Sequence, residues 1–371
     1  MRSLFKHKKD TVTLGDPGSP KSPSWFRRHK KLAIILSIVI VLIVSGGVAA
    51  ALYFLNQKPA PAPVKIVKPE VKPPAPKFYS PLTGNLVENE AAVTQAVTGI
   101  MIENSPDARP QSGLKNSGVV FEAVAEGGIT RFAVMYQQEK PALIGPVRSV
   151  RMYYVDWMAA FDASIAHIGG SAAALAEVRN GSYRDIDQFF NANSYYRATD
   201  RWAPHNVYTT FERLDALNAA KGYTVSTFNG FTRKDSVAAK VPTATAMQVD
   251  ISGPLFNSTY AYNATTNTYD RSEGGAPHLD REAGQISPRV VIVMVIPERT
   301  VLEDGYRQQI DAVGSGKATI FQDGTVQEVT WTKASKTEQI KFTDAEGKDV
   351  PLARGQTWLT SVPQDGGVVW Q

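Results

Sequence analysis

Apolar and polar positions follow three different patterns along this chain. From Leu32 to Leu55 no residue is charged over 24 positions. At 1.5 Å per residue a helix of that length reaches about 36 Å, enough to cross a hydrocarbon core of about 30 Å. Beyond residue 78 the apolar runs shorten. "VTGIMIEN" (97–104), "SGVVFEAVAE" (117–126), "TRFAVMYQQ" (130–138) and "ASIAHIGG" (163–170) are β-rich runs stopped by turn residues, which predicts strands. "VRMYYVDWMAAFD" (150–162), "SAAALAEVRN" (171–180) and "TTFERLDALNAAKG" (209–222) carry helical spacing with Gly or Asn stops. In "GPVRS" (145–149), Pro146 predicts a helix start, with Arg148 in the first turn and Arg151 one turn on, on the same face. Two cations at the positive end of a helix dipole call for a negative partner.

After about residue 240 the pattern becomes mostly β: "AMQVDIS", "STYAYNATTNTYDRS", "RVVIVMVIP", "KATIFQDGTVQEVTWTK", "EQIKFTD" and "QTWLTSVP" read as strands, and Asp323-Gly324 is a hairpin signal. The expected fold is a mixed α/β or α+β N-terminal ectodomain, then a smaller mostly β C-terminal domain, behind a single N-terminal transmembrane helix. The expected boundaries are a basic tail at 1–31, the membrane helix at 32–55, a linker at 56–77, and domains at 78–238 and 239–371. The linker holds seven prolines between Gln57 and Lys77. It favours polyproline II, and at about 3.1 Å per residue reaches up to about 65 Å. An inert stalk is the plain reading, and contact of its lysines with anionic wall polymer the other.

Charge changes the picture. The formal net charge is +5, yet residues 1–31 hold nine Lys/Arg against Asp10 and Asp16, leaving 31 Lys/Arg and 33 Asp/Glu for the rest. The basic character belongs to the tail, which argues against a nucleic-acid partner. Arg27, Arg28, Lys30 and Lys31 before the apolar run, against Lys58 after it, place the N-terminus in the cytoplasm and the remainder outside, with residues 32–55 in the plasma membrane. A cleaved signal peptide is the competing reading of the small residues "GGVAA"; the long apolar run and basic leader favour a retained anchor. The chain has no cysteine, which excludes disulfides, thiolate metal sites, a cysteine nucleophile and a lipidated cysteine.

Five ordered motifs, "ARPQSGL" (108–114), "EGGITRF" (126–132), "GPVRS" (145–149), "HIGGS" (167–171) and "APHNVYT" (203–209), resemble the YerB-like family of bacterial cell-envelope proteins. "YDRSEGGAPHLD" (269–280), "GKATIFQDG" (316–324) and "GQTWLTSVP" (355–363) are similar to that family's C-terminal domain. The resemblance spans nearly the whole ectodomain and implies an envelope location, but the family's domains are of unknown function. Two departures stand out. The family's typical member resembles a lipoprotein held by a lipidated cysteine, whereas a membrane helix takes that place here. Where the family usually reads Ala-Asp-Ile-Val-Tyr-Glu, this chain has "SGVVFE", lacking an acid at Gly118 and keeping Glu122.

Arg109, Arg131, Arg148 and Arg151 sit in motifs with Gly or Pro, positions where side chains converge at the rim of an α/β sheet. Guanidinium suits a bidentate grip on carboxylate or phosphate. The expected ligand-binding set is Arg109, Glu122, Glu126, Arg131, Arg148, Ser149, Arg151, His167, Ser171, His205 and Asn206. The structural alternative pairs these arginines with Glu103, Glu122 and Glu126. Ser171 reads as a helix N-cap, an anion contact or a nucleophile, although neither G-x-S-x-G nor the P-loop is present. His167 and His205 are candidate bases, with Asp162 or Asp187 as partners in space. His278, in "PHLD", belongs to the second domain. No metal or cofactor is predicted, the histidines lacking the spacing of H-E-x-x-H. Tyr195, Tyr196 and Trp202 cluster before "APHN"; such aromatics are usually core, and exposed they would stack on sugars.

Two functions follow. One is a binding or regulatory module that recognises an anionic wall component or a peptidoglycan-synthesis partner through the arginines. The alternative is an envelope hydrolase or transferase acting on a phosphate- or carboxylate-bearing glycan, with His167, Ser171 and His205 as catalytic candidates. The layout, though not the motifs, resembles that of LytR-CpsA-Psr glycopolymer transferases.

Overall fold

A computed structural model describes residues 30–58, 77–301 and 307–371. Residues 1–29 of the basic tail and most of the proline-rich stretch lie outside the described residues. Lys30–Leu55 forms one helix whose apolar side chains are exposed along its length. Among the described residues it is the helix long and apolar enough to cross a membrane, by length and composition.

Residues 75–371 form a separate compact unit. Its centre is a twelve-stranded mixed sheet. Ten strands follow in the order Lys341–Thr343, Thr325–Lys333, Gly314–Gln322, Val290–Val295, Thr357–Val362, Val119–Glu126, Ile129–Tyr136, Thr98–Glu103, Ser164–Ala166 and Arg184–Asp185. An antiparallel pair, Glu298–Val301 and Arg307–Ile310, joins this path at the end of the central strand Val119–Glu126 by pairing Arg307 with Glu126. Thr357–Val362 runs parallel to both neighbours, so strands from the second half of the chain lie directly against Val119–Glu126 of the first. The near-continuous apolar runs "VVFEAVA" and "VVIVMV" suit this central place, because both faces are covered. The first half is mixed α/β and the second largely β.

Alternation along the strands sorts the core. Met101, Phe121 and Ala133 pack on one face against Tyr153, Tyr154 and Trp157 of the helix Met152–Ala159. Ile100, Ile102, Val120 and Phe132 pack on the other against Phe211 and Leu214 of the helix Phe211–Ala220 and against Trp358. Further along, Val124, Val291 and Phe321 meet Met247, Tyr260 and Tyr269 of a second, five-stranded antiparallel sheet. Asp323-Gly324 turns its hairpin with φ of 58° and 77°, the left-handed pair that Asp-Gly adopts most readily.

One expected element is corrected. No helix starts after Pro146. Val147 donates its backbone N–H to Val207 O and Arg148 to Met101 O, so the segment is bound to neighbouring strands in extended form. The helix begins only at Met152, with Arg151 as its N-cap residue. Arg148 is therefore on an extended crossing segment, not in a first turn.

Candidate functional site

Strand register decides which charged groups can meet. Glu103 is opposite Arg131, and Arg131 opposite Ala123, so these three share the face of Met101 and Ala133. Glu122 is opposite Phe132 and points to the far face. By strict alternation Glu126 would follow Glu122 there. A register irregularity between Val124 and Glu126 turns it instead towards Arg131 and Arg151.

The far face holds a closed polar network. Arg271, fully buried, places Nη2 at 2.9 Å from both oxygens of the equally buried Glu122. Trp358 Nε1 donates to Glu122 at 2.9 Å and Thr130 Oγ1 at 3.2 Å. Burial pushes the Glu122 pKa up, while the Arg271 charge and the Trp358 N–H act against it, and donors on both oxygens favour the ionised form. Burial opposes the charge on Arg271, but Glu122 and Glu273 outweigh it and raise its pKa. Its Nε reaches Tyr260 Oη at 3.1 Å, and Nη1 contacts Glu273 at 3.3 Å and donates to His278 Nδ1. Burial, then the Arg271 and Arg109 charges, push the His278 pKa well below its usual 6.5, so the ring is neutral; with Nδ1 accepting, its Nε2 donates to Gln111 Oε1 at 3.0 Å. Arg109 belongs here, tied to Asn104, Leu255 O and Glu273.

The near face is different. Arg131 and Arg151 both hold Glu126, and Arg131 Nη1 also donates to Ser149 O at 2.8 Å. Burial alone would raise the Glu126 pKa; Arg151 and Arg131 outweigh it and leave the carboxyl below its ordinary range. Beside this triad, Arg148 Nε lies 3.2 Å from Glu103, and His205 Nδ1 lies 3.0 Å from the same oxygen and 3.1 Å from Ser105 Oγ. Three guanidinium groups thus share two carboxylates. Among the described residues the Arg148 side chain makes no hydrogen bond, its buried Nε included, and it is 26% exposed. A cleft of about 1060 Å³ adjoins the triad, walled by Arg151, Tyr153, Asp156, Ser171, Arg307 and Lys336 among others.

The remaining candidates are dispersed. His167 is fully buried, its Nδ1 at 2.7 Å from Gly169 O and its Nε2 at 3.0 Å from Asp185. Asp187 is 3.8 Å from it, while Asp162 pairs with Arg184 instead. Ser171 accepts the Ala174 N–H as the N-cap of Ala172–Val178. Asn206 holds Arg197 and the carbonyls of Ala198 and Arg201, and Ser149 Oγ donates to Ile168 O. His167, Ser171 and His205 each have separate partners, and none hydrogen-bonds another. Gly118 faces Leu82 so closely that a Cβ would lie 2.4 Å from its Cδ2, so the family's acid would need the Leu82 side chain to move. Arg271 and Glu273 were missed as site residues, although "YDRSEGGAPHLD" contains both.

Comparison with known proteins gives these motifs a family. The model "Protein of unknown function (DUF3048) N-terminal domain" matches residues 82–224, and its C-terminal domain model matches residues 248–359. The chain belongs to this DUF3048, YerB-like family. The family member YerB of Bacillus subtilis (strain 168), named as a candidate lipoprotein, is 32% identical over 302 residues, covering 80% of this chain and 89% of its own. The crystal structure of YerB protein from Bacillus subtilis matches with a TM-score of 0.71 at 29% identity, over 79% of this chain and 100% of that one. Both DUF3048 regions contribute to the polar network: Glu122 and Gln111 from the first, Arg271 and His278 from the second.

Proposed function

We propose that this DUF3048 protein is a membrane-associated, extracytoplasmic envelope protein that binds an anionic envelope component at Arg148. The membrane association is supported by the apolar helix and by the relative named as a candidate lipoprotein. The basic residues before that helix favour a single-pass arrangement with the N-terminus in the cytoplasm.

One observation carries the binding reading: Arg148, partly exposed, has unengaged terminal N–H groups in a cluster with more guanidinium than carboxylate. Guanidinium in that state offers a bidentate grip to carboxylate or phosphate. The separate engagement of His167, Ser171 and His205 favours binding over a hydrolase or transferase reaction. The test measures binding of anionic wall fragments by the full chain in lipid nanodiscs, comparing wild type with Arg148→Ala and Arg148→Lys. A charge-assisted hydrogen bond of about 1.5–3 kcal/mol implies about ten- to hundredfold weaker binding for the alanine variant. Undiminished binding by that variant would remove the site.

A further inference from the structure

Two exposed aromatic rings are carried by different elements, each linked to a residue next to Arg148 or to a group that shares its carboxylate. Trp202 is 89% exposed. It heads the turn that ends at His205, whose backbone N–H donates to Trp202 O at 2.9 Å and whose ring shares the Glu103 oxygen with Arg148. This turn is pinned: Arg201 donates to Asp107 O at 3.1 Å and to Pro110 O at 2.6 Å. Phe189 is 66% exposed. Its Cε2 lies 3.2 Å from where a Cβ on Gly169 would stand, and the Oγ of Ser149, the residue after Arg148, lies 3.8 Å from the same point.

Large apolar rings held out in water forgo the burial that would stabilise them elsewhere. The hydrogen bonds that pin the Trp202 turn lower the ordering cost of a ligand that stacks there. Flat apolar faces beside a guanidinium with open N–H groups match one chemistry well: a sugar ring, whose C–H face stacks on the aromatic while its hydroxyls stay in water, carrying a carboxylate or phosphate for the arginine. An anionic membrane surface fits less well, since the residues after the basic tail hold 31 Lys/Arg against 33 Asp/Glu.

We infer that the Arg148 surface binds an acidic saccharide, stacked on Trp202 and Phe189 and held through its negative group by Arg148. This rests on the anion reading above and names its ligand class. The test uses the full chain in nanodiscs of zwitterionic lipid, titrated with oligogalacturonate, with neutral maltohexaose and with poly-L-glutamate, an acid without rings. Calorimetry gives affinity, and tryptophan emission reports stacking at Trp202. Oligogalacturonate binds best, and Trp202→Ala and Phe189→Ala each weaken it about tenfold, as does Arg148→Ala. Both aromatic side chains are exposed, so their removal leaves folding intact, which the circular dichroism spectrum checks. If poly-L-glutamate binds as tightly as oligogalacturonate and Trp202→Ala changes neither, the saccharide inference fails while the anion site stands. If maltohexaose binds as tightly and Arg148→Ala changes nothing, the requirement for acid fails. If none of the three binds wild type, both readings fall.

Discussion

Replacing Arg271 with methionine removes the single cation that both Glu122 and Glu273 face at close range on the far side of the sheet. Arg271 and Glu122 are each 0% exposed in their side chains, and Nη2 of the one lies 2.9 Å from both oxygens of the other. Trp358 and Thr130 would still donate to Glu122, but its charge would be buried without its counter-ion, and Arg109, 3.4 Å from Glu273, would be the nearest remaining cation of the network. Breaking such a pair from one side costs about 3–5 kcal/mol, because the orphaned charge cannot reach water. Glu122→Gln removes that charge while keeping an acceptor for the Trp358 N–H. The double variant Glu122→Gln/Arg271→Met should therefore be less damaged than the sum of the two singles, with a coupling of about 2 kcal/mol. Urea unfolding followed by tryptophan emission is the assay, since Trp358 donates to Glu122 and its ring lies 4.8 Å from the guanidinium carbon. A single-variant cost below about 1 kcal/mol, or additive singles, would refute the buried ion pair as the lock between the two halves of the sequence.

Three further outcomes follow from the same geometry. Because the folded-state pKa of His278 lies below 6.5, the unfolded chain takes up the proton first on acidification, so stability falls as pH drops below 6.5, by up to about 1.4 kcal/mol per unit; His278→Gln should flatten that part of the profile, and an unchanged slope in unfolding titrations would contradict the neutral ring. Gly118→Asp, which restores the family's usual acid, should lower stability by about 3 kcal/mol or more, read as a drop in Tm, because its Cβ would stand 2.4 Å from Leu82 Cδ2. Ser171→Ala should cost about 1 kcal/mol by removing a cap, measured by urea unfolding, with no change in anion binding.

The strands were legible because their apolar runs are short, β-rich and punctuated, and those runs became Thr98–Glu103, Val119–Glu126 and Ile129–Tyr136. The helix Met152–Ala159 was legible in type but not in start. Pro146 is a local signal, and it lost to long-range hydrogen bonds from Val147 to Val207 O and from Arg148 to Met101 O that no local pattern contains. The reversal of Glu126 was equally hidden, since it depends on a one-residue irregularity in strand pairing. Pairing of the arginines with Glu103, Glu122 and Glu126 was foreseen as the structural alternative, yet the partner of Glu122 is Arg271, 149 positions away. Among the aromatics, composition could not separate Tyr195, 4% exposed, from Trp202, 89% exposed.

The two charged clusters use the same residue types to opposite ends, and counting donors against acceptors separates them. Arg271 has each of its nitrogens engaged, by Tyr260, His278, Glu273 and both oxygens of Glu122, so a ligand could bind there only by breaking a buried contact. Arg148 faces one shared carboxylate oxygen, and His205 and Ser105 compete for it. A guanidinium that shares its only acid with two other groups gains more from an incoming anion than one already saturated, and breaks no buried contact in meeting it. Substitutions should divide accordingly. Changes at Arg271, Glu122 or His278 act first on unfolding free energy, whereas changes at Arg148 act first on anion affinity and cost less stability, since Arg148 is partly exposed and the buried Glu103 keeps Ser105 and His205 beside it.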